Sequence, residues 1–302
     1  MKRKRDAVGV IGLGIMGGSF ARHLVAAGRT VHGYDIDPKS CRAAVRAGVT
    51  ICNSVEELAA AAPIIITSLP SPAALHKTAA AIAQSKTPRL VVEASTFSLE
   101  DKLKAERTLR RAGHIMLDCP ISGTGAQART KDIVVYASGD PKAIKRVTPV
   151  FADFSRGVHN LGAFGNGSRM KYVANLLVAI HNVATAEAMV LGMKAGLDPA
   201  VVFDTVRTGA GNSRVFELRG PKMVADRYDE ATMKISVWQK DMKIIAAFAK
   251  SLRVPTPLFS ATAPIYDEAL AAGHGEDDTA AVCAVMEKQA RVRRTANRSK
   301  RG

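Results

Sequence analysis

A glycine-rich turn near the N-terminus constrains the fold of this chain more than any other feature. The turn runs from Gly12 to Gly17 and directly follows the apolar run Ala7–Ile11. The residues behind the turn have helical periodicity, so a strand, a tight turn and a helix succeed one another without a spacer. A second apolar run, Thr30–Tyr34, supplies the parallel strand that such a unit needs. The chain is therefore predicted to begin with a βαβ unit.

The spacing of the three glycines predicts a site for a dinucleotide. Gly12 permits the tight turn, Gly14 lets a pyrophosphate approach the backbone, and Gly17 lets the helix pack against the strand. The helix N-terminus adds N–H groups and the positive end of its dipole. The predicted phosphate-binding residues are Gly12, Leu13, Gly14, Ile15, Met16 and Gly17.

An acidic residue at the end of the second strand bears on the choice of dinucleotide. Asp35 follows Tyr34, where a carboxylate accepts hydrogen bonds from the adenosine ribose hydroxyls and repels a 2′-phosphate. NAD is therefore the preferred cofactor. Asp37 is a second candidate for the ribose contact, and Lys39 or Arg42 could soften the preference, so NADP stays possible.

Short apolar runs continue to alternate with alanine-rich helical stretches over the first half of the chain. This alternation favours βαβ units and a mostly parallel sheet. The predicted strands are Ala7–Ile11, Thr30–Tyr34, Ile64–Ser68, Leu90–Glu93, His114–Asp118, Ile133–Ser138 and Gly157–Leu161.

Helices replace strands after Gly165. Helical periodicity runs from Ser168 to about Lys194, and Asp198-Pro199 then has the pattern of a helix N-cap and first residue. The predicted fold class is α/β, with an N-terminal Rossmann-type doubly wound parallel sheet followed by an all-helical C-terminal domain. The predicted domains are 1–163, which binds the dinucleotide, 164–290, which is helical, and 291–302, a basic tail expected to be disordered.

The chain resembles the β-hydroxyacid dehydrogenase family, relatives of 3-hydroxyisobutyrate dehydrogenase and tartronate semialdehyde reductase. The resemblance runs from Val8 to about Met286 and rests on several motifs in the same order. Besides the glycine turn, Leu69-Pro70 and Ser95-Thr96 match pairs that follow the family's third and fourth long strands. The resemblance implies that Leu69, Pro70 and Thr96 line the cofactor site.

Two further motifs resemble the family's substrate and catalytic segments. The first runs from Asp118 to Gly123, and it implies that Ser122, Gly123 and Thr124 bind a substrate carboxylate, with Thr124 replacing the usual second glycine. The second is Gly165-Asn166-Gly167 followed by Lys171 and Asn175, four residues apart and so on one helix face. Further along the chain, Lys240-Asp241 resembles a Lys-Asp pair of the family, and the resemblance places Lys240 near the cofactor.

These residues imply the oxidation of a 3-hydroxy acid or the reduction of the matching semialdehyde. Lys171 is expected to act as general acid and base, with a pKa lowered by burial and a nearby positive cofactor. Asn175 orients the substrate or the lysine, and Ser122 and Gly123 hold the carboxylate. Imine reduction is disfavoured because imine-reducing relatives commonly replace the lysine. Ala174, where decarboxylating 6-phosphogluconate dehydrogenase has a histidine, disfavours that reaction.

Basic tails leave one different class of function open. The formal net charge is +16, and much of it lies in two terminal runs, whose residues are Lys2, Arg3, Lys4, Arg5, Arg291, Arg293, Arg294, Arg298, Lys300 and Arg301. The alternative is a non-catalytic dinucleotide-binding module whose tails contact nucleic acid. Solvated ends are the preferred interpretation, so nucleic acid is not the expected partner.

The remaining expectations concern location, metal and assembly. The four cysteines form no CxxC pair and have no zinc-ligand spacing, so no metal is expected and the thiols indicate a cytoplasmic protein. The most apolar segment, from Val173 to Met193, contains Asn175, Asn182 and other polar residues, so no membrane span is expected. The resemblance implies a homodimer or homotetramer, with the helical domain carrying substrate and subunit contacts.

Overall fold

The structure, a computed structural model, describes residues 6–292 and 294. The chain divides into two compact units, Met1–Lys171 and Tyr172–Gly302. The strands are β1 Val8–Ile11, β2 Val31–Tyr34, β3 Thr50–Ile51, β4 Ile64–Thr67, β5 Leu90–Glu93, β6 Ile115–Asp118, β7 Ile121–Ser122, β8 Val134–Ala137 and β9 Gly157–Asn160. All of these strands belong to the first unit.

Helices connect the strands of the first unit and make up nearly all of the second. They are α1 Ile15–Ala26, α2 Pro38–Arg46, α3 Val55–Ala61, α4 Pro72–Ile82, α5 Leu99–Arg111, α6 Gly125–Arg129, α7 Pro141–Phe154, α8 Asn166–Lys194, α9 Pro199–Val206, α10 Arg214–Ala225, α11 Ile235–Ser251, α12 Pro257–Ala271 and α13 Val282–Gln289. Short 3₁₀ turns cover His274–Glu276 and Thr279–Ala281. The predicted α/β class and its order, sheet first and helices second, are confirmed.

A six-stranded parallel sheet is the framework of the first unit. Its strand order is β3-β2-β1-β4-β5-β6, which is the doubly wound Rossmann order. The chain reverses direction of winding between β1 and β4, which pair in register from Val8 opposite Ile64 to Ile11 opposite Thr67. Ligands of such sheets bind outside the carboxyl ends of the strands at this reversal. The glycine turn follows β1 at that point.

Both faces of this sheet are covered, which explains its continuous apolar strands. In β4, Ile64 and Ile66 belong to one hydrophobic cluster and Ile65 belongs to another. Alternate side chains of a strand point to opposite faces, so an unbroken run of isoleucines fills two cores at once. The first cluster includes Phe20 of α1, and the second includes Leu109 of α5.

A second, three-stranded sheet was not predicted. The predicted strands Ile133–Ser138 and Gly157–Leu161 form β8 and β9, which pair in parallel, while β7 pairs with β8 antiparallel. Pro120, which has no N–H for a ladder, lies between β6 and β7 and separates the two strands. The strands β3 and β7 were not predicted, because two residues are too few to show the alternation of apolar and polar side chains that indicates a strand.

The long helix α8 begins in the first unit and continues through the second. Gly167 N donates to Ser138 Oγ at 2.9 Å and Ser168 N donates to Asp118 Oδ2 at 2.7 Å. These bonds attach the first turn of α8 to the strands, so the units divide at 171/172, later than the predicted 163/164.

By length and composition α8 is the one described helix that is apolar enough to cross a membrane, contrary to the sequence expectation that no segment qualifies. This evidence is weak because core helices pass the same test, and 44% of the apolar window is buried within the protein. Asn182 is buried and donates to Tyr266 Oη and to the Thr279 carbonyl, each at 2.9 Å. Such bonds are those of a core helix.

The predicted start of α9 is confirmed in the second unit. Asp198 is the N-cap, its carboxylate accepts from Ala200 N at 2.7 Å, and Pro199 is the first helical residue. At the far end of the described chain, Arg294 donates to the carbonyls of Met223 and Val224 at 2.7 and 3.1 Å. The other basic residues of the predicted tails, apart from Arg291, lie outside the described residues.

Candidate active site

Two glycines of the N-terminal turn have no room for a side chain. Gly12 has φ +87°, and a Cβ there would lie 2.1 Å from the Ser68 carbonyl oxygen. A Cβ at Gly17 would lie 1.8 Å from the Gly12 carbonyl oxygen. The first position thus requires both a left-handed backbone and contact with the segment after β4, and the second requires close approach of α1. These observations agree with the sequence analysis, which assigned Gly12 to the tight turn and Gly17 to the packing of the helix against the strand.

Gly14 differs because the space beside it is open. It is the N-cap of α1, no side chain caps the helix, and the first turn contains no acidic residue. A Cβ built at Gly14 would meet nothing within 4 Å. A phosphate approaching this helix end meets the positive end of the dipole and no side chain in its way. The turn therefore fits the pyrophosphate of a dinucleotide.

Of the two acidic candidates, Asp35 is the one joined to the glycine turn. Its Oδ2 accepts from Leu13 N at 2.6 Å, and its Oδ1 accepts from Asp37 N at 2.8 Å. Asp37 is instead the N-cap of α2, where its carboxylate accepts from Lys39 N and Ser40 N. These backbone donors, with the Ser40 hydroxyl, hold the pKa of Asp37 below its ordinary value. The geometry favours Asp35 for the ribose contact.

The loops that follow β4 and β5 are tied to each other at the same edge of the sheet. Leu69 N donates to Ser95 Oγ at 2.8 Å, and Ser95 N donates to Glu93 Oε1 at 2.9 Å. Leu69 and Thr96 are half-buried, and Pro70 is exposed. Carboxyl ends of parallel strands share one edge, so these residues lie on the edge that carries the glycine turn.

Thr124 has a structural task in the segment that was predicted to bind the substrate. It is the N-cap of α6 and forms a capping box with Gln127: Gln127 N donates to Thr124 Oγ1, and Thr124 N donates to Gln127 Oε1 at 3.0 Å. Gly123 precedes it with φ +134°, and a Cβ there would lie 2.6 Å from Ile133 Cγ2. Both polar groups of Thr124 are thus engaged, which leaves Ser122 and Gly123 as the stronger candidates for carboxylate binding.

The structure brings this segment against the glycine turn. A Cβ at Gly125 would lie 2.3 Å from Ile15 Cγ2, so the start of α6 directly contacts the start of α1. His23 of α1 also lies against α6, with its Nε2 2.9 Å from the Ala128 carbonyl oxygen. The predicted substrate segment and the predicted phosphate turn are therefore neighbours within the first unit.

Lys171 lies in the second turn of α8, and the turn before it is tightly held. A Cβ at Gly167 would lie 2.4 Å from the Tyr136 carbonyl oxygen and 2.7 Å from that of Asp118. This close approach explains why glycine precedes the predicted catalytic lysine. Lys171 itself is half-buried.

In the second unit, one carboxylate connects two of the predicted residues. Asn175 is buried, and its Nδ2 donates to Asp241 Oδ2 at 2.9 Å. Lys240 Nζ lies 3.4 Å from Asp241 Oδ1. Asp241 was noted in the sequence only as the neighbour of Lys240, yet its carboxylate orients the amide of Asn175.

A fully buried ion cluster was missed by the sequence analysis. Lys102 Nζ lies 2.7 Å from Glu93 Oε2 and 2.7 Å from Asp118 Oδ1, and all three side chains have 0% exposure. We call these residues the buried triad. Burial opposes the charge on Lys102, but Asp118 and Glu93 outweigh it and raise the pKa of the ammonium. A usable signal was a lysine on the buried face of α5, in line with Ala105 and Leu109.

Metal binding has no support among the residues that the structure describes. Within 6–292 and 294, no three or more His, Cys, Asp or Glu side chains are grouped so as to hold an ion. The Cys119 thiol is beside the buried triad, and burial raises its pKa well above the ordinary value. It is therefore a neutral core group.

Two family models together match nearly the whole chain. Residues 7–162 match the family described as the NAD binding domain of 6-phosphogluconate dehydrogenase, and residues 165–286 match the one described as NAD-binding of NADP-dependent 3-hydroxyisobutyrate dehydrogenase. L-threonate dehydrogenase of Cupriavidus necator is 32% identical over 284 residues, covering 92% of this chain and 95% of the relative. 2-(Hydroxymethyl)glutarate dehydrogenase of Eubacterium barkeri is 29% identical, covering 96% and 97%.

A solved structure shares the fold over nearly the whole length. The crystal structure of 3-hydroxyisobutyrate dehydrogenase from Salmonella typhimurium matches with a TM-score of 0.84 and 31% identity, covering 93% of this chain and 100% of that chain. These relatives are dehydrogenases by name, so the alternative of a non-catalytic module that contacts nucleic acid is not supported. The chain belongs to the β-hydroxyacid dehydrogenase family, and it is a nicotinamide-dependent oxidoreductase acting on hydroxy acids.

Proposed function

We propose that this chain oxidises the hydroxyl of a small 3-hydroxy acid, or reduces the matching semialdehyde, with Lys171 as general acid and base and NAD as the preferred dinucleotide. The observation that carries this proposal is the contact of the Ser122–Gly125 segment with the glycine turn at Ile15. A carboxylate held by that segment lies beside the start of α1, where the dinucleotide binds. The oligomeric state we propose is a homodimer or a homotetramer, and the location is cytoplasmic, which the four free cysteines support.

The chemistry divides between the cofactor and the side chains of this chain. A bound nicotinamide supplies the hydride acceptor or donor at its C4. The proposed binding residues of the whole dinucleotide are Gly12, Leu13, Gly14, Ile15, Met16, Gly17, Asp35, Leu69, Pro70, Thr96 and Lys240. Ser122 and the Gly123 N–H hold the substrate carboxylate, and the proposed contact of Thr124 competes with its capping box. Lys171 takes the hydroxyl proton in oxidation and returns it in reduction.

Asn175 has the role of orienting the substrate or Lys171. It stands four residues after Lys171 on α8, and Asp241 holds its Nδ2. An amide with one end fixed presents its other end in a defined direction, which is the property a positioning group needs.

A substrate panel with both dinucleotides tests the proposal. We expect turnover of at least one of L-threonate, 3-hydroxyisobutyrate, 2-(hydroxymethyl)glutarate and short semialdehydes, measured by nicotinamide absorbance. The kcat/KM should be higher with NAD than with NADP. Binding of the dinucleotide without turnover of any hydroxy acid or semialdehyde would contradict the proposed reaction.

Asp35→Asn is expected to move the dinucleotide preference towards NADP. The variant retains an acceptor for Leu13 N but removes the charge that repels a 2′-phosphate. The ratio of NAD to NADP affinity should fall about tenfold, because like charges a few ångströms apart near a protein surface interact by roughly 1 to 4 kcal/mol. Isothermal titration with each dinucleotide measures the ratio. Asp37→Asn is the matched control, and an equal shift in that variant would assign the ribose contact to Asp37.

A further inference from the structure

The first arm of the buried triad leads to the loops at the proposed cofactor site. Glu93 Oε1 accepts from Ser95 N at 2.9 Å, and Ser95 Oγ accepts from Leu69 N at 2.8 Å. The loop after β5 continues into Thr96, and the loop after β4 continues into Pro70. One carboxylate of the triad therefore holds both loops, directly or through Ser95.

The second arm leads to the helix that carries Lys171. Asp118 Oδ2 accepts from Ser168 N at 2.7 Å, and Asp118 Oδ1 accepts from Ser168 Oγ at 2.8 Å. Ser138 Oγ accepts from Gly167 N at 2.9 Å and donates to the Asp118 carbonyl at 3.0 Å. Lys171 follows Ser168 by three residues, which is less than one turn of the helix. The position of Lys171 is thus fixed relative to Asp118 through the hydrogen bonds of Gly167 and Ser168.

The side chains of Glu93 and Asp118 are joined by the ammonium group of Lys102, which lies 2.7 Å from an oxygen of each. Glu93 and Asp118 end neighbouring strands and are register partners, so their carboxylates stand side by side without solvent. Two adjacent buried carboxylates cannot both stay ionised without a cation between them. A protonated carboxyl group is a weaker acceptor and would loosen its bonds to the backbone N–H groups of Ser95 or Ser168.

Stability alone is a poor explanation for such a cluster. Removing three charged groups from water is costly, and well-packed apolar residues of similar volume are often as stable or more stable. What the cluster adds is a unique arrangement of the segments bonded to it. Three of the four carboxylate oxygens accept directed hydrogen bonds, and the fourth, Glu93 Oε2, lies 2.7 Å from Lys102 Nζ as an ion pair. Those segments are the ones that carry proposed site residues.

We propose that Lys102 is a positioning residue of the dehydrogenase, whose ammonium group joins Glu93 to Asp118 and thereby sets the loops of Leu69 and Thr96 and the turn before Lys171 in one arrangement. This inference rests on the proposed function, because the roles of Leu69, Thr96 and Lys171 are part of it. Lys102 itself acts only through Glu93 and Asp118, and it is not assigned a contact with substrate or cofactor.

Lys102→Met compared with Arg29→Met tests the inference. Arg29 is a matched control because it is also a buried cation of the first unit, paired with Asp153 of α7. Both variants should lower Tm. Only Lys102→Met should lower kcat in the correctly folded enzyme, by about 10- to 100-fold, the scale of a displacement near 1 Å at a reacting group. An equal fall in kcat in the two variants would contradict the inference and would mean that Lys102 only stabilises the fold.

Two further variants, each of which removes one hydrogen bond next to the buried triad, separate the effect on kcat from the effect on dinucleotide binding. Ser168→Ala removes one bond to Asp118, so kcat should fall while the dinucleotide Kd stays within about twofold of wild type. Ser95→Ala removes the bond to Leu69 N, so the dinucleotide Kd should rise more than kcat falls. These small substitutions leave the triad in place, and they decide the question even where Lys102→Met does not fold. Wild-type kinetics in both would overturn the proposal.

Rescue by a second substitution adds a readout that a packing defect would not give. Adding Glu93→Gln to Lys102→Met replaces the Glu93 carboxylate by a neutral amide and leaves Asp118 as the one carboxylate of the triad. The amide oxygen can still accept from Ser95 N, and the amide NH₂ group can donate towards Asp118. The double variant should regain kcat over Lys102→Met. A further loss of kcat in the double variant would contradict the charge argument.

Hydrogen exchange keeps the test independent of activity. Amides of residues 68–70, 94–97 and 166–171 should exchange faster in Lys102→Met than in Arg29→Met. Should the substrate panel give no turnover at all, the proposed function fails while the exchange pattern still decides whether Lys102 positions these segments. Wild-type exchange there in a folded Lys102→Met would refute the inference.

Discussion

Lys171→Ala is expected to abolish turnover while leaving dinucleotide binding nearly unchanged. A general acid and base contributes about 10²- to 10⁴-fold to a rate, so kcat should fall by at least this range. The glycine turn and Asp35 lie on other segments, so the dinucleotide Kd should stay within about threefold. Stopped-flow measurement of nicotinamide reduction, beside fluorescence titration of the dinucleotide, measures the two effects separately.

Lys171→Arg sharpens this experiment because it keeps the positive charge. An arginine has a pKa above about 12 and does not give up its proton in proteins. If Lys171 transfers a proton, Lys171→Arg should be as inactive as Lys171→Ala. Substantial activity in the arginine variant would mean that the lysine acts by charge alone. Lys194→Ala, at the other end of α8, is the control and should retain wild-type kcat.

Gly14→Ala is expected to leave the fold intact and to abolish most of the affinity for the dinucleotide. The Cβ would meet nothing within 4 Å in the protein, and φ is −63° at this N-cap, so neither a steric clash nor a left-handed backbone opposes the substitution. The new methyl group would occupy space that a pyrophosphate needs in order to reach the backbone. The dinucleotide Kd should rise at least about tenfold, a cost of roughly 1.4 kcal/mol.

Gly157→Ala is the matched control for this experiment. Gly157 also has open space around its Cβ position and lies in β9, away from the glycine turn. Both variants should keep a Tm close to that of wild type, and only Gly14→Ala should lose affinity in calorimetric titration. A variant at Gly14 that binds the dinucleotide as wild type does would place the pyrophosphate elsewhere.

Local sequence was sufficient to predict the elements that have a clear period. The strands β1, β4 and β5 were predicted to within a residue or so at each end, because apolar runs between turn residues are a local signal. The start of α9 followed from Asp198-Pro199 for the same reason. Strands of two residues, such as β7 with Ser122, have no period to detect and were missed.

The tasks of individual site residues depended more on tertiary contacts. The motif indicated that Thr124 replaces a glycine, but its capping box with Gln127 appears only once α6 is formed. The preference for Asp35 over Asp37 likewise comes from a hydrogen bond to Leu13 N across 22 residues of chain. The bond between Leu13 and Asp35 has no local signature, because its partners are distant in sequence. The spacing of Thr124 and Gln127 is that of a capping box, a local signal that the sequence analysis did not use.

The glycine turn, the family and the order of the two units were determined by the sequence itself. Each depends on spacing within a short segment, and spacing is preserved in the linear chain. The buried triad was decided by the tertiary structure alone. Glu93 and Asp118 meet only when β5 and β6 pair in register, and Lys102 reaches them only when α5 packs on that sheet. The helical line of Lys102 with Ala105 and Leu109 indicated only that Lys102 is buried. Its partners are set by strand register and helix packing, which no local pattern encodes.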